Sequence, residues 1–321
     1  MKTGTRKIWE ESEYNYEYAC GFVPKLNWYL HEDEKKRPCM LVVPGGGYMF
    51  VSPSEGELVA LKFYDMGYQA FVLTYTVNVW QAKPLKMQAL KDISRAVRYI
   101  RKNAEEFEAD AGKLAVCGFS AGGHLCASLC VHYEDVSDDR EDYAGISNRP
   151  NAAVLSYPVI TSGEKAHRGS FDALLGADAS REELEYMSLE KQVTEKTPPC
   201  FVWATMDDQA VPVENTLMFM EACREKGVLC ACHIFSEGEH GLSLADDDWV
   251  NWQKQSNYTE EQRIQVKEKI KSGEVSVPET VKKAMEEEER MMAEVQMPPR
   301  TVHPEVMIWP KLADDFLQKV L

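Results

Sequence analysis

Nothing in these 321 residues offers a broad positive surface: 36 Lys and Arg stand against 52 Asp and Glu, a formal net charge of −16 at pH 7. That charge repels polyanions and excludes nucleic acid and anionic membrane surfaces as expected partners. No apolar stretch approaches the length of a bilayer crossing. The opening Met-Lys-Thr-Gly-Thr-Arg-Lys has basic residues but no apolar segment behind it, so no secretory signal is expected. A disulfide framework is missing too. The nine cysteines are odd in number and scattered. Cys117 lies in an apolar run, Cys126 and Cys130 share one face of an expected helix, and Cys230 and Cys232 share one face of an expected strand. Such thiols read as small reduced hydrophobes, and the expected location is cytoplasmic. Cys230-Ala-Cys232-His233 has no second Cys/His pair to complete a coordination sphere, so no metal and no cofactor is expected.

What is present is the composition of a globular domain, 44% hydrophobic and 27% charged. Residues 25–30 and 39–43 are β-type runs joined by a charged turn at 31–37, and 68–75 is a third. After Pro84, the recurrence of Leu90, Ile93, Val97 and Ile100 on one face predicts a long helix. Further strands are expected at 114–117, 152–157, 200–205 and 228–235, and further helices at 121–131, 213–226 and 309–321. Strands that alternate with helices and are themselves continuously apolar predict an α/β fold: a mostly parallel, doubly wound sheet with helices on both faces. The whole chain, 1–321, reads as one domain. Only 246–300 breaks the rhythm; it is strongly charged and carries two capping-box patterns, Thr259-Glu260-Glu261-Gln262 and Ser276-Val277-Pro278-Glu279. It reads as a solvated helical insertion before the last helix, or as a lid or homo-oligomer contact.

Chemistry enters at Gly118-Phe119-Ser120-Ala121-Gly122, a G-x-S-x-G pentapeptide between an apolar run and a helix of small apolar residues. A strand that turns this sharply into a helix lifts the central side chain above the sheet, which makes Ser120 the candidate nucleophile. A serine hydroxyl needs a base and a carboxylate that orients the base. The segment Met206-Asp207-Asp208-Gln209-Ala210-Val211-Pro212 follows a strand and offers two acids. Asp208 is preferred because it leaves the strand end before Val211 and Pro212 begin the next element; Asp207 stays open as the alternative. Among seven histidines, His240 directly follows an expected strand, between Gly238 and Gly241, and is the candidate base. His124 lies one helical turn past Ser120 and is expected to pack near the elbow, while His233 is expected in the core. Ala121 N–H and the amides of Gly45-Gly46-Gly47 are candidate donors to a developing oxyanion.

Taken together, P-G-G-G-Y at 44–48, G-F-S-A-G-G-H-L from Gly118, D-D-Q-A-V-P-V-E-N at 207–215 and H-I-F-S-E-G-E-H-G at 233–241 resemble the α/β-hydrolase family. Within it they resemble the acetylxylan/feruloyl esterase-like branch, with Pro44 where hormone-sensitive-lipase-type enzymes usually carry histidine. The resemblance covers about residues 20–245 and 303–321 and implies Ser120, His240 and Asp208 as triad. It implies amides near Gly46, Gly47 and Ala121 as the oxyanion hole, with Tyr48 beside the substrate. The implied activity is a serine esterase that deacetylates xylo-oligosaccharides or related sugar esters, its partner a small acyl ester or acylated oligosaccharide. A short-chain carboxylesterase, lipase-like enzyme or amidase/peptidase on the same fold is the alternative.

Overall fold

The computed structural model describes residues 1–252, 256–294 and 299–321. Its strands are β1 (Lys2–Lys7), β2 (Lys25–Leu30), β3 (Arg37–Val43), β4 (Gln69–Thr74), β5 (Ala109–Phe119), β6 (Ala152–Ser156), β7 (Cys200–Thr205) and β8 (Cys230–Phe235). They form one sheet in the order β1-β2-β4-β3-β5-β6-β7-β8. Only β2 runs antiparallel to its neighbours; from β4 to β8 all pairings are parallel. The two runs joined by the charged turn are not neighbours, because β4 lies between β2 and β3 and pairs with both.

The helices are α1 (Glu57–Asp65), α2 (Gln88–Lys102), α3 (Ala121–His132), α4 (Arg168–Leu175), α5 (Arg181–Tyr186), α6 (Glu214–Glu225), α7 (Asp247–Asn251), α8 (Glu260–Ser272), α9 (Glu279–Glu294) and α10 (Trp309–Val320). Strands β4, β6 and β7 are buried at every position. Because side chains alternate across a strand, each must fill a core on both faces. Leu41, Val43, Phe71 and Leu73 meet Leu90, Ile93, Val97 and Ile100 of α2, Leu125 of α3 and Phe219 of α6. Met40, Val42, Ala70 and Val72 meet Leu58 and Phe63 of α1 and Trp309 and Phe316 of α10 on the other face. No helix among the described residues is long and apolar enough to cross a membrane.

The segment between β8 and α10 folds into α7, α8 and α9. It makes a small core of Val266, Ile270, Val281 and Met285 around Cys20. At Thr259 the expected side-chain cap of α8 is not made; its Oγ1 accepts from Val51 N–H (3.2 Å) and donates to Asn257 Oδ1 (3.1 Å). Ser276 lies ahead of α9, which starts after Pro278, and its carbonyl accepts from Tyr18 Oη (2.8 Å).

Candidate active site

β5 carries its apolar run to Phe119, and α3 begins at Ala121, leaving Ser120 as the whole turn. Ser120 accordingly adopts φ 52° and ψ −120°, a left-handed backbone that costs about 1–3 kcal/mol outside glycine. The turn closes only because its neighbours lack side chains. A Cβ on Gly118 would overlap the Gly122 carbonyl, and one on Gly122 would overlap the Val43 carbonyl. Ser120 N–H donates to Ser156 O (3.0 Å), and its carbonyl accepts from His124 N–H (3.0 Å) and Val159 N–H (3.1 Å). Backbone from β6 and α3 thus clamps the strained residue.

The loop after β8 brings His240 to this point. Gly238 (φ 146°) and Gly241 (φ 87°) take the backbone values that an L side chain avoids. His240 Nε2 lies 2.8 Å from Ser120 Oγ, and Nδ1 lies 2.6 Å from Asp208 Oδ2. A carboxylate can only accept, so Nδ1–H donates to Asp208 and Nε2 is left to accept the serine proton. The Asp208 carboxylate is fully buried. Its second oxygen accepts from Ala210 N–H and Val211 N–H, both at 2.9 Å. Of the two acids left open by the sequence, the structure brings Asp208 to the histidine. Asp207 is solvent-exposed and accepts instead from Gly238 N–H (2.6 Å).

The glycine loop after β3 packs against Ser120, whose Cβ is 2.9 Å from where a Cβ on Gly45 would sit. Gly46 (φ 125°) and Gly47 (φ 62°) give it its turn beside Ser120. The amides of Gly46, Gly47 and Ala121 have no acceptor among the described residues, whereas Gly45 N–H is taken by Glu55 Oε2 (2.8 Å). Tyr48 departs from the expectation that it faces substrate. Its side chain is 1% exposed and its hydroxyl donates to His124 Nδ1 (2.8 Å). The reversed backbone at Tyr48 (φ 62°) turns the ring inward against α3. His124 in turn donates from Nε2 to Met187 O (3.0 Å), and burial pushes its pKa down to about 4. It packs below the elbow as expected. His233 is half-buried and stacked on Phe201, with ring centroids 5.1 Å apart.

Sequence reasoning missed three residues around this constellation. Glu55, 4% exposed, accepts from Tyr157 Oη (2.8 Å) as well as from Gly45. The Tyr157 ring lies edge-on to His240 at 4.9 Å. His167, partly buried, shares a 2.8 Å hydrogen bond with Ser170 Oγ, which is 3.9 Å from where a Cβ on Gly47 would sit. Burial chiefly, and then His240, lower the pKa of His167, against an opposing pull from Asp208. A Glu after Pro-Ser reads from sequence as an ordinary helix-start acid, so only the third dimension exposes its role. All nine cysteines are free thiols.

The profile of the BD-FAE family matches residues 26–223. Endo-1,4-beta-xylanase B of Butyrivibrio fibrisolvens is 50% identical over 267 residues, 83% of this chain and 42% of that protein. Acetylxylan esterase of Xylanibacter ruminicola is 26% identical over 239 residues, 70% of this chain and 47% of that one. The chain therefore spans less than half the length of these two relatives. The crystal structure of an acetyl ester-xyloside bifunctional hydrolase from Caldicellulosiruptor lactoaceticus superposes with a TM-score of 0.72 at 36% identity. It covers 85% of this chain and 97% of that one. The carboxylesterase Cest-2923 of Lactobacillus plantarum shares the fold at a TM-score of 0.70 and 22% identity, covering 99% and 98%.

Proposed function

The chain belongs to the BD-FAE family of α/β-hydrolases, and on that footing we propose that it is a serine carboxylic-ester hydrolase that removes acetyl groups from xylo-oligosaccharides or related sugar esters. One observation carries the reading: the continuous line from Ser120 Oγ through His240 to the buried Asp208, at 2.8 and 2.6 Å. Ser120 Oγ attacks the ester carbonyl as His240 Nε2 takes its proton. The imidazolium formed is stabilised by Asp208, and the carbonyl oxygen, now negative, is held by the amides of Gly46, Gly47 and Ala121. His240 then gives its proton to the departing sugar oxygen. Water, deprotonated by the same nitrogen, attacks the acyl-serine and releases the acid with Ser120 restored.

Support for the sugar comes from the relatives, whose names concern xylan, acetylxylan and an acetyl ester-xyloside. The test compares the wild type with Ser120→Ala on aryl esters of rising acyl length and on acetylated xylo-oligosaccharides. Fluorophosphonate labelling is followed in parallel. Release of acetate from the oligosaccharides, an adduct on Ser120 and loss of both in the variant support the reading. Preference for long acyl chains with sugar esters untouched replaces it with a lipase-like activity, and preference for amides with an amidase.

A further inference from the structure

We infer that Glu55 is a positioning residue for ester hydrolysis: through Gly45 and Tyr157 its buried carboxylate ties the oxyanion loop to the loop that carries His240. The inference rests on the hydrolytic reading above.

Two separate stretches of chain must meet over Ser120, one presenting amides and the other the imidazole. Glu55 touches both. Oε2 accepts from Gly45 N–H (2.8 Å) at the root of the glycine loop, and Oε1 accepts from Tyr157 Oη (2.8 Å). The Tyr157 oxygen in turn accepts from Ser243 N–H (3.0 Å), in the histidine loop. The neighbouring residue adds a second strap, since Ser54 O accepts from Ser243 Oγ (2.6 Å). Meanwhile the Tyr157 ring supports His240 edge-on at 4.9 Å. The acid, the phenol and the serine thus form one line of contacts from the oxyanion loop to the base.

The local backbone shows that this arrangement is held under tension. Tyr157 (φ 36°) and Ser243 (φ 49°) both adopt the left-handed region, which residues with side chains keep only when their surroundings impose it. On the other side the loop has no slack. A Cβ on Gly45 would sit 2.9 Å from Ser120 Cβ and 3.0 Å from Glu55 Oε2, so the Gly45 backbone is gripped between nucleophile and carboxylate.

The choice of a carboxylate is itself informative. A fully desolvated acid is costly, and burial raises the pKa of Glu55 from its ordinary value, against the lowering by Tyr157, Gly45 and His240. Among the described residues no Lys or Arg forms an ion pair with it. Its partners, the Gly45 amide, the Tyr157 phenol and the Ser52 hydroxyl, are all neutral, which an apolar core does not require but loop placement does. The charge of Glu55 reaches a cation, Arg300. Arg300 donates to Trp249 O (3.0 Å) and covers the Trp249 ring at 4.7 Å.

Displacements of about 1 Å at reacting groups cost on the order of 100-fold in rate, and loss of one oxyanion donor costs about 100- to 1,000-fold. Glu55→Gln and Tyr157→Phe test the link, with kcat and KM on 4-nitrophenyl acetate, the rate of fluorophosphonate attack on Ser120, and Tm. Glu55→Gln is expected to lower kcat roughly 30-fold or more, with KM within about twofold and the phosphonylation rate falling in step. Tyr157→Phe is expected to lose roughly tenfold, and the double variant less than the product of the two, because both act along one line of contacts. A lowered Tm with kcat and phosphonylation unchanged makes Glu55 a stability residue only and overturns the inference. If Glu55→Gln does not fold, Tyr157→Phe decides, and unchanged kcat in that variant overturns it. Wild-type protein that fails to react at Ser120 sinks the hydrolytic reading itself and this inference with it; a normal wild type with unaffected variants sinks only the latter.

Discussion

Asp207 Oδ1 accepts the amide of Gly238 at 2.6 Å, so one of two adjacent acids braces the histidine loop while the other orients the histidine. The two should separate cleanly in kinetics. Asp208→Asn places an amide where Nδ1–H needs an acceptor, which favours the wrong tautomer of His240, and kcat on 4-nitrophenyl acetate should fall by about 10⁴. Asp207→Asn keeps an acceptor oxygen for Gly238, and kcat should change less than about tenfold. Equal losses in the two variants would show that the acids are not divided in this way.

Tyr48 supplies a test in the opposite direction. Its hydroxyl meets His124 within the core, not the open face of the site. Tyr48→Phe should therefore cost about 1 kcal/mol in urea unfolding, the usual net worth of a buried hydrogen bond, and leave kcat and KM for aryl acetates within about twofold. A large rise in KM without loss of stability would return Tyr48 to the substrate.

The glycine loop gives a third. Gly46 has φ 125°, and a Cβ there would run into the Phe50 carbonyl; Gly145 has φ 74° with nothing within 4 Å of its Cβ position. Gly145→Ala should cost about 1–2 kcal/mol from backbone conformation alone, with activity intact. Gly46→Ala must move the loop and should lower kcat by about 100-fold or more. If both variants lose only stability, the loop does not serve the reaction.

Acid should loosen the core through His124. Its folded pKa is about 4, lowered by burial from 6.5, so the folded state binds fewer protons than the unfolded state in between. The associated stability is complete above the unfolded value and is lost as pH falls toward about 4. At about pH 5 the loss should be on the order of 2 kcal/mol relative to neutral pH. Chemical denaturation of the wild type and His124→Gln at both pH values checks it. The gap between the two should narrow in acid, and a gap independent of pH contradicts a neutral buried imidazole.

The legible parts of this molecule were those with a one-dimensional signature. The β5 strand, the elbow and the face of α2 showed because continuous apolar runs and 3.6-residue periodicity reflect burial directly. Ser120, Asp208 and His240 each follow a strand, and parallel sheets gather such loops at one end. Strand β1 was invisible: Lys-Thr-Gly-Thr-Arg-Lys is almost wholly exposed, and only its hydrogen bonds to β2 make it a strand. The order β2-β4-β3 was hidden as well, since a charged turn between two β-type runs does not show that β4 lies between them. Tyr48 misled because a motif gives a residue's place on a loop but not the sign of its φ. Glu55 was concealed because its partners, Gly45 and Tyr157, are 10 and 102 residues away.

Trp309 Nε1 donates to Ser243 O at 2.7 Å, and its ring lies against Phe119 and Trp203. The first helical residue of α10 thus pins the histidine loop across 66 residues of sequence. The placement of the base thus draws on the last helix of the chain as well as on the sheet, through one indole that both donates to the histidine loop and packs on the aromatic core.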